Sequence, residues 1–169
     1  VAADVEPAWV HDHLPPDDFS APVGPVFVAA LAERLDRSFD NLDLVLVADP
    51  LDGPPPARLG LVEVGTGADH PRLARARRYR TALRAWEAAG GAALLVVGRG
   101  LAGRFEVAFE VEPGARGRGT GRALAAAARH LSAGEPVWAQ VAPGNVASLR
   151  AVLAAGFTPV GAEILFAGR

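Results

Sequence analysis

The sequence predicts an α/β domain in which helices flank a central β-sheet. Two observations carry this. Strand-like runs, either alternating with period two or continuously β-branched and aliphatic, recur at 42–48, 92–97, 104–111 and 136–141. Across residues 104–131 a strand, a glycine-rich loop and an Ala/Leu-rich helical pattern follow one another without a break, and a second strand and helix come after.

Composition sets the limits. The chain has 169 residues, half of them hydrophobic, enough for one good core and against wholesale disorder. It has no Cys, so disulfides, thiol nucleophiles and Cys-based metal sites are excluded. The four histidines (His11, His13, His70, His130) form no ligand cluster beyond His11-x-His13, and no metal is expected. No apolar run reaches the length of a membrane span and no secretory leader is visible, so a cytoplasmic location with no membrane partner is expected. Val1 in place of an initiating Met reads as a trimmed or excised domain. All 17 basic residues are arginine, and with abundant Ala, Gly and Pro this is the composition of a GC-rich bacterial genome. Residues 1–70 hold 13 acidic and 3 basic residues, and residues 71–169 hold 6 acidic and 14 basic. A phosphate-bearing ligand is therefore expected in the second part, while the acidic first part suits a cationic substrate.

Taken in order, residues 1–25 are rich in Pro and Asp and read as a loop or loosely attached arm, with Trp9 available to pack onto the domain that occupies 26–169. Residues 26–39 read as a helix with Val28, Leu31 and Leu35 on one stripe. Asn41 and Asp43 mark a turn, Leu42–Ala48 a strand, and Asp49–Pro56 a loop. Leu59–Val64 is a second strand, ended by Gly65-Thr66-Gly67. Residues 70–88 carry two patterns: Leu73, Ala76, Tyr79, Leu83 and Trp86 recur at helical spacing, while Tyr79, Thr81, Leu83 and Ala85 alternate with Arg78, Arg80, Arg84 and Trp86. The six arginines between 72 and 84 read as a solvated face. No aromatic platform accompanies them and the net charge is −2, so nucleic acid is not an expected partner. Residues 88–91 form a tight turn, Ala92–Val97 a buried strand, and Gly98–Gly103 a hairpin turn. In Arg104–Val111, Phe105, Val107, Phe109 and Val111 face one way, and Glu106, Ala108 and Glu110 the other. Thr120–Leu131 is a helix with Leu124, Ala127, Ala128 and Leu131 as a narrow apolar stripe. Pro136–Val141 is a strand, Asn145 caps a helix over Val146–Ala155, Gly156 ends it, and short strands at 157–160 and 162–166 close the chain.

The chemistry is expected at residues 111–122, Val-Glu-Pro-Gly-Ala-Arg-Gly-Arg-Gly-Thr-Gly-Arg. A helix that starts directly after such a loop turns free N–H groups and the positive end of its dipole toward it, and arginines at the mouth complete an anion site. The loop is not a P-loop, because the chain contains no lysine, and its spacing does not match a dinucleotide fingerprint. The spacing Arg116-x-x-Gly119-x-Gly121 resembles the pyrophosphate loop of the GCN5-related N-acetyltransferase (GNAT) family. A second block, Asn145-Val-Ala-Ser-Leu-Arg-Ala-Val-Leu-Ala-Ala-Gly-Phe157, resembles the family's later helix motif, in which an asparagine opens a helix and Gly-Phe closes it.

The resemblance covers about residues 78–166 and implies a GNAT-like acyl-CoA acyltransferase fold with a mixed central sheet. It places a strand over Tyr79–Glu87. It implies acetyl-CoA as cosubstrate, held by Val111, Arg116, Gly117, Arg118, Gly119, Thr120, Gly121 and Arg122 and by Asn145 and Ser148, with an amine-bearing small molecule or peptide as acceptor. Arg150 is either a phosphate contact or a surface residue. Amine attack on a thioester needs a proton acceptor. Glu106 is the first candidate, since some family members keep a glutamate there, and Glu110 shares its face. An ion pair with an arginine such as Arg80 or Arg84 is the structural alternative for both. The family often places a tyrosine acid seven residues after the asparagine, where this chain has Val152. Tyr79, the only tyrosine, is then the candidate acid. This departure keeps a non-catalytic acyl-CoA-binding or regulatory domain as the alternative function. Monomer and homodimer are both compatible with the sequence.

Overall fold

A computed structural model describes residues 1–168. Among these residues the helices are α1 (Pro7–His13), α2 (Pro25–Leu35), α3 (Pro71–Tyr79), α4 (Thr120–His130) and α5 (Val146–Ala154). The strands are β1 (Arg37–Ala48), β2 (Val62–Val64), β3 (Thr81–Ala88), β4 (Ala93–Arg99), β5 (Phe105–Val111), β6 (Val137–Val141) and β7 (Thr158–Gly168). They form a seven-stranded sheet in the order β2-β3-β4-β5-β6-β1-β7. It is mixed: β5 pairs with β6 in parallel, while the β2/β3, β3/β4, β4/β5 and β1/β6 pairs are antiparallel.

The chain divides into two compact units, residues 44–161 and residues 1–43 with the chain from Ala162 on. The larger unit is a three-layer arrangement that follows from strand alternation. One face of the sheet, with Leu46, Trp86, Leu95, Val97, Val107, Val137 and Ala139, packs under α4 and α5 through Leu124, Ala127, Ala128 and Val152. Small residues on α4 let it lie close to the strands. On the other face α3 covers Ala85, Leu94 and Val96 with Leu73 and Ala76. At the sheet edge Arg84 holds Glu63 of β2 bidentately at 2.9 and 3.0 Å. This hydrogen bonding keeps the Glu63 carboxyl below its ordinary range.

In the smaller unit α2 buries Phe27, Val28, Leu31 and Ala32. Residues 1–25 depart from the loop the sequence predicts, because Pro7 starts a two-turn helix at its first position, where the missing N–H costs nothing. Trp9 on that helix stacks on His13 at 4.0 Å and lies 6.0 Å from Phe27. The turn expected at Asn41 and Asp43 is also absent. β1 starts at Arg37 directly after Asp36, whose left-handed φ of 50° ends α2, and the polar residues sit in an exposed length of strand. Residues 158–168 form one strand where two short ones were expected around Gly161. Both patterns read over residues 70–88 are present in succession. The helix ends at Tyr79 and the strand starts at Thr81, so the strand expected over Tyr79–Glu87 is shifted by two residues at its start.

One side chain ties three segments of the larger unit together. Arg129, near the end of α4, donates from Nε to the carbonyl of Asp49 and from Nη1 to the carbonyl of Ala155, both at 2.7 Å. Hydrogen bonds from a charged donor contribute about 1.5–3 kcal/mol. Arg129→Met is therefore expected to lower stability by about 1.5 kcal/mol or more in urea denaturation, and an unchanged midpoint contradicts the assignment.

Candidate functional site

The site begins where two neighbouring strands stop pairing. β5 and β6 are in register only at Phe105↔Val137 and Glu106↔Trp138. β5 stays on β4 to its end, where Val111 meets Ala93, and β6 stays on β1 to its end, where Val141 meets Leu44. Beyond Glu106 the two strands therefore diverge, and residues 107–111 turn a strand edge toward the gap. Backbone N–H and C=O groups along such an edge can pair with an extended ligand.

The glycine-rich loop closes one end of this gap. A short turn at Pro113–Ala115 leads to Arg116, whose Nε donates to the Val111 carbonyl at 2.8 Å and folds the loop back onto the strand end. Gly119 is the N-cap of α4 with φ of 80°, a left-handed conformation that disfavours any residue with a Cβ. No side chain caps α4, so the first-turn N–H groups of Thr120, Gly121 and Arg122 face the loop together with the positive end of the helix. Arg116, Arg118 and Arg122 are all exposed around it. A Cβ on Gly121 would stand 3.3 Å from Phe109 Cε2 and 3.4 Å from the Ala151 Cβ, so this glycine lets α4 lie against both β5 and α5. α5 starts just past the end of β6, and the exposed Asn145 caps it by accepting from the Ser148 N–H at 3.2 Å. Arg150 is exposed. Val152, at the position where the family often has tyrosine, is 1% exposed within the main core.

The two glutamates on the α3-covered face have different surroundings. Glu106 is 3% exposed and saturated: Arg80 donates to it at 2.8 Å, Arg104 at 3.2 Å, and the Leu101 N–H at 3.3 Å. Gln140 on β6 approaches both the carboxylate (3.5 Å) and Arg80 (3.4 Å). A Cβ on Gly100 would lie 2.1–2.3 Å from the Glu106 carboxyl atoms, so only glycine fits at that point of the β4–β5 hairpin. Glu110 is half-exposed and has one partner, Arg72 Nε at 3.2 Å. Arg72 lies in the first turn of α3, which the His70 ring caps by accepting the Arg72 N–H at Nδ1. Tyr79 ends α3, half-buried, with the guanidiniums of Arg75 and Arg78 at 5.2 and 5.4 Å from its ring centre. Arg84 pairs with Glu63 and takes no part in the site.

The loop and the start of α4 thus follow the end of β5, and the start of α5 follows the end of β6, so the expected cofactor-binding residues lie on the two strand ends that border the gap. The expectation of Glu106 as an accessible base meets a carboxylate already enclosed by two arginines. The ion pair weighed as the alternative for Glu106 is present with Arg80, while Arg84 pairs elsewhere. Sequence reasoning missed Arg72, Arg104 and Gln140. Arg72 was hidden in a run read as a solvated face, and the only available signal was the pair of glutamates on one strand face, each of which requires a cation when covered. Among the described residues no group of three or more His, Asp or Glu is placed to hold a metal ion, and no helix is long and apolar enough to cross a membrane.

No family model and no curated protein sequence matches the chain. Solved structures do. An acetyltransferase of the GNAT family from Colwellia psychrerythraea superposes with a TM-score of 0.51 at 16% identity, covering 84% of this chain and 62% of that one. A GNAT-family acetyltransferase from Novosphingobium aromaticivorans gives 0.50 at 21% identity, covering 76% of this chain and 65% of that one. The chain spans less than two thirds of the length of either. It has the GNAT acetyltransferase fold.

The two glutamates are expected to respond differently to truncation. Glu106→Ala leaves two guanidiniums, 11% and 16% exposed, without their carboxylate and is expected to cost about 3–5 kcal/mol. Glu110→Ala breaks a half-exposed pair and is expected to cost less than about 1 kcal/mol. Urea denaturation of both variants checks this, and equal losses contradict it.

Proposed function

We propose that the chain is an N-acetyltransferase that uses acetyl-CoA to acetylate a primary amine. The observation that carries this reading is the open edge of β5 running into an uncapped helix start through a glycine- and arginine-rich loop. The residues present fit the cosubstrate. The space beside Gly117 and Gly119 is open, with nothing within 4 Å of a Cβ built at either. Gly117, Arg118, Gly119, Thr120, Gly121 and Arg122 would hold the pyrophosphate through N–H groups and charge, with Arg116 fixing the loop. The edge at Val111 and the start of α5 at Asn145 and Ser148 would hold the pantetheine arm. When bound, acetyl-CoA supplies the acyl group as a thioester.

The protein's own residues then position an amine and remove its proton. An ammonium must give up one proton before it attacks, and the amine's second proton balances the thiol that is released. Glu110 is assigned as the first acceptor, because it is half-exposed, has a single partner and lies on the diverging part of β5. Glu106 is assigned a structural role, its hydrogen-bonding capacity being taken up by Arg80, Arg104 and Leu101. β5 N–H groups at the gap suit a developing oxyanion. Tyr79 remains the candidate acid, and a thiolate also leaves without one. Side-by-side binding of two substrates contributes much of the rate. The buried Val152 in place of a tyrosine favours the second reading, an acyl-CoA-binding or regulatory domain without turnover.

Calorimetric titration with acetyl-CoA is expected to give a micromolar Kd for the native chain. Gly119→Glu, which puts bulk and negative charge into the loop, is expected to weaken it by at least about 100-fold. No binding by the native chain contradicts the proposal. Binding without release of free CoA in the presence of any amine favours the regulatory reading.

A further inference from the structure

The Arg72–Glu110 pair is incomplete in a way that the Arg84–Glu63 and Arg99–Glu135 pairs are not. Arg84 grips Glu63 with two parallel bonds, and Arg99 does the same to Glu135. Glu106 is surrounded. Arg72 reaches Glu110 through Nε alone, at 3.2 Å, with the two side chains 35% and 37% exposed. Among the described residues neither the two Nη groups of Arg72 nor Oε1 of Glu110 has a partner. The pair thus presents, side by side, a planar set of free donors and a free carboxylate oxygen. Arg72 also stands in the first turn of α3, where the helix dipole disfavours a cation and the turn itself holds no acidic residue. Pro71 at the helix start and the His70 cap hold the backbone of that turn, which keeps the guanidinium beside β5.

We propose that this pair recognises a zwitterionic acceptor, a primary amine with a carboxylate a few ångströms away, as in an α-amino acid. The ammonium binds Oε1 of Glu110, and the carboxylate takes the two Nη groups of Arg72 in the bidentate geometry that a guanidinium favours. A polyamine meets the like charge of Arg72 and gains no partner for it, so the acidic first part of the chain does not set the acceptor's charge. The inference rests on the acetyltransferase reading for its function, but the binding pair itself does not.

Two measurements separate these layers. In the first, the twenty α-amino acids, each beside its C-terminal amide, and spermidine are offered with acetyl-CoA, and CoA release is followed. The best amino acid is expected to exceed its amide by at least about tenfold in kcat/KM. Arg72→Gln is expected to bring that ratio near one through KM, with Arg72→Lys in between and acetyl-CoA affinity unchanged in both. An amide or spermidine preferred by the native chain, or a ratio that survives Arg72→Gln, overturns the inference. The second uses no acetyl-CoA: the side-chain Nε–H resonance of Arg72 in a 15N spectrum is expected to shift on adding that amino acid and not its amide. Where no amino acid turns over, all twenty are added in turn, and the absence of any such shift independently overturns the inference. A shift in a chain that fails to bind acetyl-CoA removes the acetyltransferase reading and leaves the recognition pair standing.

Discussion

Two parallel strands that pair for only two residues leave a wedge in the middle of a sheet, and the candidate site is built from its sides. β5 is held by β4 along its whole length, and β6 by β1 to its end, so neither strand is free to close the gap. The edge of β5 then stays available at residues 107–111. Immediately beyond it the chain turns through the arginine-bearing loop into α4, and α5 starts at the matching end of β6. An extended chain with a phosphate at one end suits both features together: the edge pairs with amides and the helix start with negative charge.

The point of divergence is fixed by buried charge. Glu106 is the last residue of β5 in register with β6, and it binds Arg80 from the α3–β3 junction and Arg104 from the β4–β5 hairpin. Gln140, two residues past Trp138 on β6, touches the same network. Ion pairs taken out of water add little net stability, yet losing one member is costly. Such a network specifies geometry: it joins α3, the hairpin and both strands where the wedge opens. Glu110, about 13 Å further along the strand at normal rise, lies outside that network and stays accessible.

The parts legible in the sequence were those set by local chemistry. Alternation in residues 104–111, the positive φ demanded at Gly119 and the Asx-type cap at Asn145 depend on neighbours within a few residues, and the strand–loop–helix order followed from them. The roles of the glutamates were not local. Arg80 is 26 residues from Glu106 and Arg72 is 38 from Glu110, so no periodicity reveals either pair. Residues 70–88 looked contradictory because a helix and a strand abut at Arg80 with no glycine or proline between them. Asn41 and Asp43 looked like a turn because strand composition assumes a covered face, and this length of β1 is largely exposed.

Amide hydrogen exchange with and without acetyl-CoA tests the central claim, that the wedge between β5 and β6 is the binding site. The account predicts added protection at residues 107–111 and at Thr120, Gly121 and Arg122, with β4 and the α3 interior unchanged. Protection confined to other elements, or none at the β5 edge under saturating acetyl-CoA, would contradict it.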